Sequence, residues 1–292
     1  MGSELYKPRP TNPKGFFEDR LINEINERIL ACYDPENKYD YGQRWLMNLP
    51  HDVQVNYVAA PIRRLIKTST SHEPFCFKDP RFCYTLPVWK SLISEQTVYL
   101  CIFRSPSITV KSIMKEYAQM DYLASLYLDE EKTYQVWADM YKHVINSNNE
   151  KEPVYFFHYD QIFDGSALDK LSKLLEVKID LGFVDHKLKR TQALDIDVPG
   201  TVREMYIQLC DLAEYHSNLQ VTNSNQDRLH YYEDLIDLKN NIIEHKTAVI
   251  KKKEKEISFY RKRSVLSAMR SLFRIYKGVA KKIGRKLHRW SA

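Results

Sequence analysis

Glycine is scarce in this chain, at eight of 292 residues, and none opens a Gly-x-x-x-x-Gly-Lys run. A Walker-type loop, whose backbone N–H groups cradle a phosphate, is therefore missing from the sequence. Cysteine is scarce too: Cys32, Cys76, Cys83, Cys101 and Cys210 are dispersed and form no Cys-x-x-Cys pair. That odd set predicts reduced, buried thiols in a cytoplasm, and no metal site. No stretch of 18 apolar residues occurs, so no spanning helix is expected. The amino terminus has no apolar signal core, and Tyr6 stands where a myristoylation signal needs Ser or Thr. Acidic residues disappear at the other end: residues 257–292 hold eleven Lys or Arg and no Asp or Glu. The remaining 33 basic residues face 38 acidic ones, a net charge of −5 over residues 1–256. This excludes a basic, nucleic-acid-binding core and assigns the tail a partner of its own.

What the chain does contain is enough apolar material, 43% of its residues, to bury a sizeable core. Its most informative stretch is Val98-Tyr99-Leu100-Cys101-Ile102-Phe103, closed by Arg104. Such a run predicts a strand buried on both faces, as in a parallel sheet. Ser105 caps the helix expected over 107–127, and Pro106 suits its first position. An arginine at a strand's carboxyl end, beside a helix amino terminus, makes an anion site. Ser112, a turn and a half into the helix, is placed to meet the same anion. The same pattern also fits a purely structural arginine.

Further strands are expected at 75–78 and 153–157. Helices are expected over 20–32, most of 43–68, 133–147, 166–176 and 202–219, with 183–200 irregular. Strands alternating with helices predict an α/β fold: a three-layer parallel sheet of the P-loop NTPase-like type, binding its ligand beyond the strands' carboxyl ends. Lys78 to Arg81, Arg104 and Tyr159 fall at such ends, which predicts one shared cleft.

The carboxyl-terminal part reads as a helical extension. Residues 223–226 form a linker. Residues 227–262 form a long charged helix whose apolar positions step mainly by 3, 4 or 7, either a short coiled-coil seam that joins copies of the chain or a helix packed on its own domain. In residues 263–292, Leu266, Met269, Phe273, Tyr276, Ile283 and Trp290 share one helical arc and the basic residues take the opposite side. That pattern fits a helix lying on an anionic membrane, with docking on the protein's own acidic body as the alternative.

Five blocks in order carry a family resemblance. Asn12-Pro13-Lys14-Gly15-Phe16-Phe17-Glu18-Asp19 precedes the first helix. Phe77-Lys78-Asp79-Pro80-Arg81 follows, then Leu86-Pro87-Val88-Trp89. The Arg104/Ser112 unit comes next, and the third strand ends in His158-Tyr159-Asp160. Through these blocks roughly residues 1–215 resemble the bacterial sulfotransferase family, which uses 3′-phosphoadenosine-5′-phosphosulfate (PAPS) as co-substrate.

The resemblance implies a sulfotransferase-like domain over residues 1–222. It assigns Arg104 and Ser112 to the donor's 3′-phosphate, with Arg190 (beside Lys189) and Arg81 as further cofactor-binding residues. Lys78 would neutralise sulfuryl charge, Asp79 would assist catalysis, and Glu18, in an apolar setting made by Phe16 and Phe17, would be the base. Cytosolic relatives carry a histidine two residues after the lysine; Pro80 stands there, so that mechanism is not carried over. The residues also fit plainer roles: Glu18 a helix cap, Asp79 and Arg81 a structural ion pair, Ser112 bonded to its own turn, Arg190 a solvated charge. His51, His72 and His158 have no motif behind them.

The family opens with a strand, a loop rich in Gly, Ser and Thr, and a helix. Nothing here matches them, and Met1 to Tyr6 looks like the segment after that helix. A sulfotransferase shortened at its amino terminus is expected, with a homologue that lost the loop as the alternative; the in-frame DNA upstream of Met1 separates the two. Turnover by this chain is then expected to be weak, because each lost oxyanion donor costs roughly 10²–10³ in rate. The expected activity is transfer of a sulfuryl group from PAPS to a hydroxyl of a carbohydrate or glycolipid, in the cytoplasm, peripheral on the inner membrane face. The alternative is a catalytically deficient nucleotide-binding or scaffold protein of a membrane-associated glycan biosynthetic complex. A P-loop kinase relative is disfavoured, since no Walker lysine is present.

Overall fold

The computed structural model describes residues 4–9, 12–72, 74–93, 96–185 and 198–215, and, of 233–259, all but 234, 235, 238, 239 and 242. Lys187, Lys189, Arg190 and the basic tail 263–292 lie outside the described residues. The chain divides into two units, Met1–Leu238 and Lys239–Ala292.

The first unit is α/β. It holds helices α1 (Arg20–Ala31), α2 (Ala60–Ser69) and α3 (Phe82–Lys90), then strand β1 (Tyr99–Phe103), α4 (Pro106–Gln119) and α5 (Glu130–Asn146). Strand β2 (Val154–His158), α6 (Tyr159–Phe163), α7 (Leu168–Leu175) and α8 (Gly200–Leu212) complete it. The two strands pair in parallel, Tyr99 with Val154 through Phe103 with His158, and α4 and α5 form the connection between them. Parallel neighbours require such a crossover.

One face of the sheet is covered. Phe103 meets Tyr141 of α5 and Tyr206 of α8 at ring separations of 6.3 and 6.2 Å, and Trp137 of α5 meets Tyr141 at 4.8 Å. On the other face Phe157 is buried with Ala167 and Leu171 of the α7 segment. Leu100 and Ile102, on that same second face, are exposed. The expectation that β1 is buried on both faces is corrected: its burial alternates, because the covering helix sits over β2 and, among the described residues, β1 pairs with β2 alone. Parallel strands normally lose both faces to helices. This apolar face beside an unpaired edge predicts self-association on warming. Ile102→Lys is expected to suppress heat-induced light scattering while changing unfolding free energy by less than about 0.5 kcal/mol.

The expected strand at 75–78 does not form. The segment runs without ladder partners, and aromatic contacts hold it: Phe75 stacks on Phe77 at 5.2 Å, and Phe77 meets Trp89 of α3 at 6.2 Å. The sheet therefore has two strands among the described residues, and a three-layer sheet is not formed by them. Most of 43–59 is also non-helical, apart from one 3-10 turn at Arg44–Leu46.

α1, α2 and α3 enclose a core of their own. Ile22, Ile25, Ile29 and Leu30 on α1 pack with Ile62 and Ile66 of α2 and with Tyr84, Val88 and Trp89 of α3. Each such side chain contributes about 1.5–3 kcal/mol on burial, so α1 is fixed firmly in its layer. Cys101 and Cys210 are buried as expected, and burial raises the Cys83 thiol to about 12. Cys32 and Cys76 are exposed, which corrects the expectation of a fully buried set. Among the described residues no helix is long and apolar enough to cross a membrane, and no His, Cys, Asp or Glu group is arranged to hold a metal.

Candidate active site

Two side chains far apart in sequence meet at the amino-terminal end of α1. The Lys78 ammonium lies 2.5 Å from a Glu18 carboxylate oxygen. Glu18 is 13% exposed and Lys78 56%, so the carboxylate is sheltered and the cation is solvated at the rim.

Their neighbours explain the meeting. Residues 4–9 and 12–20 form a strap. Tyr6 N–H donates to the Glu18 carbonyl and Arg20 N–H to the Glu4 carbonyl, both at 3.0 Å, and Leu5 bridges Asp19 in antiparallel sense. The strap turns at Asn12 to Gly15, where the Gly15 N–H donates to the Asn12 carbonyl at 3.0 Å and φ is +88°. Phe17 has φ +54°, a left-handed backbone rare for an aromatic residue, and its ring meets Phe183 edge-on at 5.7 Å. Asp19 then caps α1, accepting from the N–H groups of Leu21 at 2.8 Å and Ile22 at 3.3 Å. The capping role that the sequence left open for Glu18 belongs to Asp19, and Glu18 is turned to Lys78 instead.

Lys78 is held by its own neighbour. Asp79 is buried and accepts from Asn23 Nδ2 at 2.7 Å and Asn26 Nδ2 at 2.9 Å, both on α1. Its second oxygen accepts from Arg81 N at 2.9 Å and Arg81 Nη1 at 3.1 Å. Arg81 in turn donates to Glu27 at 2.7 Å, and Glu27 accepts from Arg44 at 3.1 Å. Burial works against the charge on Arg81, but Asp79 and Glu27 outweigh it and hold the guanidinium pKa above its ordinary value. Asp79 and Arg81 were expected in catalysis and cofactor binding. The geometry forms the structural ion pair that the sequence also allowed, with the charged atoms of both already bonded.

The second cluster sits where the strands end. Register pairs Phe103 with His158, so Arg104 and Tyr159 follow side by side, and the Arg104 guanidinium lies 4.3 Å from the centre of the Tyr159 ring. Arg104 Nε is buried with no hydrogen-bond partner among the described residues. α4 begins two residues on, with its positive end beside this cation. Ser112 is exposed on α4 and shares no hydrogen bond with Arg104 among the described residues, so a bound anion would have to bridge them.

Behind this pair, His158 is a cap rather than a base. Its Nδ1 accepts from Asp160 N–H at 3.1 Å, its N–H donates to Gln161 Oε1 at 2.7 Å, its Nε2 lies 3.1 Å from the Tyr206 hydroxyl, and Tyr215 stacks on it at 3.9 Å. Burial, then the Asp160 charge, pushes the Tyr215 hydroxyl up. No motif signals Tyr206 and Tyr215; only the end of β2 places them.

The two clusters, expected in one cleft, share no direct contact among the described residues. The strap that carries Glu18 reaches α4 through Arg9 and Glu116, 4.0 Å apart. The chain matches no protein-family model, no curated protein and no solved structure.

Proposed function

We propose that this chain is a PAPS-dependent sulfotransferase, transferring a sulfuryl group to a hydroxyl of a carbohydrate or glycolipid. The observation that carries this reading is Arg104: a guanidinium at a strand's carboxyl end, backed by an aromatic ring, with a buried nitrogen left unbonded. Buried polar groups normally have partners, and an anion such as the donor's 3′-phosphate supplies one, with Ser112 adding a hydroxyl and Arg190 a further charge. Glu18 and Lys78 supply the chemistry. Lys78 leaves Glu18 for the sulfuryl oxygens, the freed carboxylate takes the proton of the attacking hydroxyl as its oxygen bonds to sulfur, and the S–O bond to the nucleotide breaks to release 3′,5′-ADP. On this reading the two strands belong to a three-layer parallel sheet of the sulfotransferase type. The basic tail, residues 263–292, holds the protein on an anionic membrane's inner face, where a lipid-linked acceptor would be assembled.

The Glu18 carboxylate already paired with Lys78, and Asp79 already paired with Arg81, favour a second reading, a nucleotide-binding scaffold without turnover. Thermal unfolding with 3′,5′-ADP tests the shared step. The ligand is expected to raise Tm, and Arg104→Ala to weaken binding about 10–100-fold, the loss of a charged hydrogen bond. No Tm shift at millimolar ligand, or an equal shift in the variant, overturns the nucleotide site. Binding without any release of sulfate or 3′,5′-ADP from PAPS favours the scaffold.

A further inference from the structure

The strap that carries Glu18 has two distinct faces. Leu5 stands opposite Asp19 in the antiparallel bridge, so Tyr6 stands opposite Glu18 and Glu4 opposite Arg20. Opposite residues, and residues two apart along a strand, share one face of such a ribbon. Glu4, Tyr6, Glu18 and Arg20 therefore share a face. On it the Arg20 guanidinium lies over the Tyr6 ring, 5.5 Å from its centre.

Arg20 is placed against the electrostatics of the fold. It is the first residue of α1, where the positive end of the helix dipole disfavours a cation by about 0.3–1 kcal/mol. Among the described residues no carboxylate offsets this. Asp19 accepts from the N–H groups of Glu4, Leu21 and Ile22. Glu24, one turn on, pairs with Arg28. Glu4, though opposite, forms no ion pair with Arg20. An exposed guanidinium kept in a disfavoured place, stacked on a ring that leaves its N–H fork free, matches a carboxylate in shape and charge. Burial raises the Tyr6 hydroxyl above its ordinary range, so the phenol stays neutral and supplies a further donor on the same face.

We propose that Arg20, with Tyr6, binds a carboxylate of the acceptor, so that the acceptor is an acidic saccharide. The inference rests on the sulfotransferase reading for the role of Glu18; the carboxylate site itself does not. Arg20 and Glu18 are two residues apart, about 7 Å along the ribbon, so the carboxylate belongs to the reacting sugar or its neighbour.

Calorimetry of the full-length chain with trigalacturonate is expected to show binding. Maltotriose, an uncharged trisaccharide, is expected to bind at least about 10-fold more weakly, the loss of a charged hydrogen bond. The basic tail also attracts anions, so lysine acylation read by mass spectrometry locates the contact. Trigalacturonate should shield Lys78, and Arg20→Gln should remove that shielding and weaken binding about 10-fold. Tm of Arg20→Gln should hold or rise, since a cation leaves the helix's positive end; a fall in Tm would make Arg20 structural and overturn the proposal. Equal binding by the variant, equal binding of maltotriose, or shielding confined to the tail lysines overturns it too. A Tm shift with 3′,5′-ADP but no trigalacturonate binding rejects the acidic acceptor and keeps the sulfotransferase reading. Trigalacturonate binding without that shift keeps the carboxylate site and rejects the nucleotide.

Discussion

Glu18→Gln is expected to lower PAPS turnover by about 10²–10⁴-fold, the range for removal of a general base, while leaving 3′,5′-ADP binding unchanged. The substitution keeps shape and removes the negative charge, and with it both the capacity to take a proton and the ion pair with Lys78. The fold should tolerate it, because the anchors on either side are not Glu18: Asp19 caps α1, and Asp79 ties the Lys78 segment to Asn23 and Asn26. Release of 3′,5′-ADP from PAPS in the presence of carbohydrate acceptors measures turnover, and calorimetry measures binding. Full turnover in the variant would remove Glu18 from the chemistry. Lost binding together with lost turnover would show that the pair is structural. Lys78→Met serves as the partner experiment: a cation needed for charge neutralisation should depress the chemical step without changing Tm, since Lys78 is mostly solvated.

The second large effect is on stability. Arg81→Ala is expected to cost about 3–5 kcal/mol, because it leaves Glu27 and Asp79 buried with a lost partner. Against a total of about 5–15 kcal/mol for a domain this is enough to unfold much of the population at 37 °C. Urea unfolding followed by tryptophan fluorescence measures it, with Trp89 beside the network as reporter: its indole N–H donates to Asn26 at 2.8 Å. Arg81→Lys should recover little, since an ammonium cannot reach Glu27 and Asp79 with a rigid fork. A loss below about 1 kcal/mol would mean that the network is replaceable and that Lys78 is positioned by something else.

These two experiments separate what the sequence shows from what only the fold can supply. The periodic helices, α1, α5 and α7, were legible because one face of each is apolar at helical spacing. α3 was not: Tyr84, Leu86, Val88 and Trp89 bury it almost all round and Pro87 sits inside it, so neither a period nor a breaker rule finds it. The strand expected at 75–78 failed because extended backbone needs a neighbour, and aromatic stacking serves there instead. At the site, residue types were legible but their allotment was not. Glu18 and Asp19 are adjacent carboxylates, as Lys78 and Asp79 are adjacent charges, and sequence alone cannot say which of two neighbours faces inward. The hydrogen-bond donors decide: the α1 amides take Asp19, Asn23 and Asn26 take Asp79, and what remains points outward as a pair.

Anchoring both members of that pair to one helix has a further effect. A displacement of α1 carries carboxylate and ammonium along together, because Asp19 and Asp79, their immediate neighbours, are both bonded to that helix. On the sulfotransferase reading, a change in the strap around Phe17 would retune the approach of the recipient hydroxyl while leaving the Arg104–Tyr159 pair at the strand ends as it is.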